Sequence, residues 1–197
     1  LSIVVDGETE EYEYNIRRWS ERLCDGLSFN DIEKEYCQQE EKLGRTCSIE
    51  ELQIIKQNLD VIKRKLSLCD SESRELMMGA VAAASTAESM VSALNAAGWD
   101  ITTVENNDER DPITMKGDDG AGNEVAVVIS SGGESPSVSW YIDDDDSVQK
   151  EMKEEALRNE LCDCGIGTVY TERDIKNCER INSADDFVDK TMTDSLI

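Results

Sequence analysis

The stretch Asn95-Ala96-Ala97-Gly98-Trp99-Asp100-Ile101 is where one hydrophobic period stops and another begins. Before it, apolar residues recur every three or four positions, as one face of a helix requires. After it they alternate every second position, as a half-buried strand requires. Gly98 stands where a helix needs a left-handed C-terminal residue, a conformation open to glycine at almost no steric cost. The switch divides a helical arm from a small sheet, so the chain reads as an α+β protein.

Back from Gly98, the arm shows four helical patterns. Tyr12, Ile16, Trp19 and Leu23 form one stripe, stopped by Gly26. Ser28 with Asp31 caps a second helix that carries Phe29, Ile32, Tyr36 and Leu43 and ends at Gly44. Ser48 and Glu51 form a capping box ahead of Leu52, Ile55, Leu59, Ile62 and Leu66, with Ile54 and Val61 widening the stripe. Asp70 or Ser71 caps a fourth helix with Met77, Ala80, Ala84, Ala87, Val91 and Leu94 on one face. Only a few residues join the last two patterns, which predicts an antiparallel hairpin.

Forward from Gly98, Ile101 to Val104 and Ile113 to Lys116 read as strands separated by a charged loop. Gly117 to Asn123 is rich in residues that accept positive φ and reads as a hairpin loop. Glu124 to Ser130 is apolar on both faces, the mark of a central strand. In Ser137 to Asp143, Val138, Trp140 and Ile142 alternate with polar positions. Short connections make an antiparallel meander of three to four strands, covered by the helix before it and the helix after it in the order α-β-β-β-α. The covering helix after the sheet runs from about 146 to Leu161 and turns Val148, Met152, Ala156 and Leu157 inward. Further on, Ile166 to Tyr170 reads as a short strand, Asp174 to Arg180 as a helical turn, and Ser183 to Thr191 as a capped helix with Phe187 and Val188. Two domains follow: the arm at 1–70 and the α+β unit at 71–197, with the helix at about 71–97 shared.

Charge and composition narrow the function. The net charge is −24, from 20 basic and 44 acidic residues, and −16 of it lies after Ala97 (9 basic against 25 acidic from position 98 on). Such a surface cannot neutralise phosphates, which argues against nucleic acid and anionic membranes as partners and for a basic protein. Histidine is absent. Imidazole-based triads, metal sites and pH switches are therefore excluded. The seven cysteines, Cys24, Cys37, Cys47, Cys69, Cys162, Cys164 and Cys178, are odd in number and contain no Cys-x-x-Cys pair. They read as reduced thiols of a cytoplasmic protein. No signal peptide or spanning segment is evident, the Ala-rich run at 79–84 being too short. The chain opens on Leu1 rather than Met, which reads as a fragment or a processed product.

Two polar clusters are weighed as sites. Asp143, Asp144, Asp145 and Asp146 offer oxygens to a hard cation, but neighbouring side chains on a strand point to opposite faces and no distal Glu completes a calcium loop. Acidic residues ahead of a helix N-terminus also satisfy its dipole. Cys162-Asp163-Cys164 with Cys178 supplies three thiols where structural zinc takes four ligands. The leading expectation is a non-catalytic protein-interaction module with an acidic surface, without cofactors, that binds a basic partner. The alternatives are a structural connector that self-associates through Leu52, Ile55, Leu59 and Ile62, forming a homo-oligomer, and an enzyme that uses carboxylates with a divalent metal.

Overall fold

The capping box read at Ser48 launches the longest element of the chain. Glu51 N–H donates to Ser48 Oγ at 3.2 Å and Ser48 N–H to Glu51 Oε2 at 3.3 Å, satisfying two orphan donors at a helix start. The helix that follows, α3, runs from Ile49 to Ala96 without a break in the computed structural model. The structure describes residues 2–5, 8–11, 13–45, 48–131, 136–143, 147–163 and 183–194. The chain divides into two units, Leu1–Met78 and Gly79–Ile197.

The first unit opens with a two-stranded antiparallel sheet, β1 (Ser2–Val5) and β2 (Glu8–Glu11), paired from Ser2↔Glu11 to Val5↔Glu8. This ribbon departs from the sequence reading, which begins the arm with a helix. A short helix, α1 (Ile16–Trp19), is capped by Asn15, whose side-chain oxygen accepts from Arg17 N–H at 3.1 Å, and a 3-10 turn (Ser20–Arg22) follows. The next helix, α2 (Phe29–Leu43), starts as the sequence predicts: Asp31 N–H donates to Ser28 Oγ, and that hydroxyl donates to Asp31 Oδ2 at 2.8 Å. Leu27, Ile32, Ile62 and Cys69 make the core of this unit, with Ile16, Leu23, Phe29 and Leu59 packed around it.

The arm is therefore not built of about four helices. Its third and fourth patterns are one helix, and the hairpin expected between them does not exist. Asp70 and Ser71 carry a capping signal, but no glycine or proline stands there to break the backbone ladder. The Asp70 carboxylate has other partners: it accepts from Tyr14 Oη at 3.1 Å and from Arg74 Nε at 3.0 Å, one turn on. The antiparallel pair is formed instead by α2 and α3. Gln39 Oε1 accepts from Asn58 Nδ2 at 3.0 Å and Glu35 Oε1 from Lys65 Nζ at 2.6 Å, so ascending positions on one helix meet descending ones on the other.

In the second unit, α3 ends where the period changes. Gly98 has φ +91°, Trp99 N–H donates to the Leu94 carbonyl at 2.9 Å, and Gly98 N–H to the Asn95 carbonyl at 3.1 Å. These are the two bonds of a Schellman motif. Four strands follow: β3 (Asp100–Glu105), β4 (Ile113–Asp118), β5 (Glu124–Ser130) and β6 (Ser137–Asp143). They form an antiparallel meander in the order β3-β4-β5-β6. A bulge between Ile101 and Thr103 shifts the β3–β4 register, and Gly117 lies opposite it.

Both faces of this sheet are covered. On one, Met115, Val125, Val127, Ile129 and Ile142 pack with Ala83, Ala87, Met90 and Leu94 of α3 and with Leu157 and Leu161 of helix α4 (Ser147–Asp163). On the other, Ala126, Val128 and Tyr141 meet Ala184, Phe187, Val188 and Met192 of α5 (Ala184–Asp194), with the Tyr141 and Phe187 rings stacked 5.8 Å apart. The helix predicted after Ser183 is thus the cover of the second face. Its start is capped, Asp186 N–H donating to Ser183 Oγ at 3.1 Å.

The inward stripe of α4 differs from expectation. Leu157 and Leu161 are buried, but Val148, Met152 and Ala156 are exposed. Lys153, Leu157 and Leu161 share one helix face, which packs the two leucines into the core and brings Lys153 to Asp119, so position 152 turns outward. The readings at 166–170 and 174–180 lie outside the described residues.

Candidate interaction surfaces

The loop between β4 and β5 shows how the second unit uses its charges. Asp119 Oδ1 accepts from Ala121 N–H at 2.9 Å and from Asn123 N–H at 3.1 Å, and Oδ2 accepts from Asn123 Nδ2 at 2.6 Å. Lys153 Nζ adds a bond to the same Oδ2 at 2.7 Å and lies 5.3 Å from the centre of the Trp99 ring. With Lys153 and then Asn123 as the main causes, this carboxyl is held well below the usual carboxylate range. The loop is thus a self-contained turn braced to α4 through an internal cation.

The same economy holds for every described Lys and Arg of this unit. Arg110 pairs with Asp108 at 2.8 Å, Lys116 with Asp185, Arg158 with Glu154 at 3.3 Å, and Lys190 with Asp186 at 3.3 Å. Lys150 lies 5.0 Å from the centre of the Tyr141 ring. Each basic group is engaged within its own unit. Asp100, Glu105, Glu124, Glu151, Glu155 and Asp163 are exposed and have no cationic partner among the described residues. Among the described residues, part of the negative excess read from the sequence thus stands on exposed carboxylates without a cationic neighbour.

Comparison of the chain with protein-family models, with curated proteins and with solved structures returns no match.

The residues singled out as a cation site are placed in part. Asp143 is half-buried at the end of β6 and accepts from Tyr141 Oη at 3.4 Å, while Asp144, Asp145 and Asp146 lie outside the described residues. Among the described residues no three Asp, Glu or Cys side chains converge as a metal ion would require. Cys69 is fully buried, whereas Cys24, Cys37 and Cys162 are exposed free thiols. Cys47, Cys164 and Cys178 lie outside the described residues.

The apolar stripe Leu52, Ile55, Leu59, Ile62 is split by the fold. Ile55 and Ile62 are buried, Leu59 packs beside Ile62 in the core of the first unit, and Leu52 is 45% exposed. Exposed large apolar side chains do crowd α2 and α3 nonetheless: Tyr36 and Leu43 on α2, and Ile49, Ile54, Val61 and Leu68 among others on α3. By length and composition alone α3 contains a window apolar enough to cross a membrane. One third of that window is buried (33%), and Ala83, Ala87, Met90 and Leu94 of the helix pack against the sheet.

The first unit also holds a polar brace that sequence reading missed. Tyr14 Oη donates to the carboxylate of Asp70, and the Arg74 guanidinium sits 4.5 Å from the centre of the Tyr14 ring. Burial, and then the bond to Asp70, push the phenol up to about 12. Fifty-six positions separate Tyr14 from Asp70, so no local pattern announces the contact.

Proposed function

We propose that this chain is a non-catalytic protein-interaction module whose second unit presents an acidic surface to a basic partner protein. The observation that carries the reading is the internal use of every described Lys and Arg in that unit, beside exposed carboxylates such as Asp100, Glu124, Glu151 and Glu155 that have no cation among the described residues. Bases that already have partners in their own unit are less available to phosphate or to an acidic protein. Unpaired carboxylates on a sealed sheet can meet Lys and Arg from outside, and such contacts speed encounter and set specificity.

Affinity capture from the native host, with the retained protein then titrated in purified form, tests this. The captured protein should be basic, and its affinity should fall steeply between low and moderate salt. A complex indifferent to salt, or one made with an acidic protein, would overturn the reading. A second reading, a connector that self-associates through its helical arm, is favoured by the exposed apolar side chains of α2 and α3.

A further inference from the structure

We propose that two copies of this chain pair through the flank of the α2–α3 hairpin that carries Tyr36, Leu43, Leu52, Leu59 and Leu66. This rests on the self-association reading and gives it a surface and an orientation.

The hairpin has two flanks, and the polar contacts fix which is which. Glu35–Lys65 and Gln39–Asn58 close one of them. At about 100° per residue, Tyr36 and Leu43 lie on the other side of α2 from Glu35, across the line of Ile32 and Gln39. On α3, Leu52, Leu59 and Leu66 lie across the line of Ile55, Ile62 and Cys69 from Asn58 and Lys65. Antiparallel right-handed helices turn toward the same flank, so these five side chains share one face. Tyr36 is 49% exposed, Leu43 50%, Leu52 45% and Leu66 39%. An apolar face of this kind on a two-helix hairpin is what a second pair of helices covers in a four-helix bundle.

Charge selects a second copy as the occupant. Beyond the apolar row, the rim of α2 carries Glu40, and the rim of α3 carries Lys56 and Lys63; all three are exposed. A two-fold axis running along the helices lays α2 of one copy against α3 of the other, at the height α2 already holds in its own hairpin. Glu40 of one copy then stands against Lys56 of the other, twice over, as an isologous interface demands. The segment 28–75 carries 8 basic and 11 acidic residues, so the −24 of the whole chain is not concentrated where the copies would meet.

The full chain, 22.0 kDa, should sediment as a species of twice that mass at micromolar and higher concentration. Leu52→Glu with Leu66→Glu should weaken pairing roughly a hundredfold or more, because a charge would be buried without a partner, while leaving the helical circular dichroism unchanged. Glu40→Lys alone and Lys56→Glu alone should each weaken it about tenfold. An equimolar mixture of those two variants should pair again, since both cross-contacts then have opposite charges. A monomer at every concentration overturns the proposal, and one that still captures a basic protein leaves the interaction-module reading standing. A dimer indifferent to the leucine substitutions also overturns it, because another surface would then hold the copies together.

Discussion

The Trp99 backbone N–H reaches back over Gly98 to the Leu94 carbonyl at 2.9 Å, and the two side chains are buried in the same cluster under the sheet. A single residue with positive φ thus ends a helix, starts a strand and delivers a tryptophan to the core.

Gly98→Ala should lower the stability of the second unit by about 1 kcal/mol, because a Cβ is disfavoured at φ +91°. No atom lies within 4 Å of where that Cβ would stand, so the loss would come from backbone strain and not from a clash. Equilibrium urea unfolding checks this; an unchanged midpoint would show that the helix end is not fixed by Gly98.

Gly117→Ala should cost more, about 1–3 kcal/mol, for a different reason. Its Cβ would stand 2.6 Å from the Asp100 carbonyl oxygen, backbone against backbone, beside the bulge in β3. The same unfolding measurement, with amide exchange on β3 and β4, should show the loss centred on that strand pair.

Asp119→Asn should remove part of the acid sensitivity of the fold. The wild-type carboxyl is held below the usual range by Lys153 and Asn123, so its ionised form stabilises the folded state. That contribution is present above the unfolded value of about 3.9 and is lost as pH falls from there toward the folded value. The gap in thermal midpoint between wild type and variant should be constant near neutrality and should narrow below about pH 4. A gap independent of pH would break the link to Lys153.

Tyr14→Phe should delete a late-ionising phenol from an absorbance titration. The phenol is pushed up to about 12, so folding favours its protonated form. The stability this supplies is present below the ordinary value of about 10 and is lost as pH rises through the folded value. Wild type and variant should therefore converge in stability at high pH. A wild-type titration without a late phase would contradict the Tyr14–Asp70 contact.

What the sequence reveals here is what neighbours decide. The helix end at Gly98, the caps at Ser28, Ser48 and Ser183, the four strands and the apolar β5 are set within a few residues, and all are legible. Asp70-Ser71 misleads because its capping signal is local, whereas the partner that holds Asp70 inside a helix, Tyr14, is far away in the chain. On α4 two stripes compete at helical spacing, and the core under the sheet takes Leu157 and Leu161 while Met152 stays exposed, an outcome that depends on residues distant in sequence. The β1–β2 ribbon has a signal, Asp6-Gly7 between two short runs, which the stripe through Tyr12 overshadows. Net acidity is equally visible. Which bases are already occupied is a matter of three-dimensional pairing and has no sequence pattern.

The β3 edge of the four-stranded sheet, whose other edge is β6, has its own consequence for how the protein behaves when concentrated. Among the described strands β3 is bonded on one side only, and it carries Asp100 and Glu105 at its two ends with exposed Val104 between them. Two such edges meeting antiparallel would set Asp100 against Glu105 at both ends of the new ladder, carboxylate facing carboxylate. Ribbon growth by pairing of two β3 edges is discouraged by the carboxylates that this strand carries at its ends.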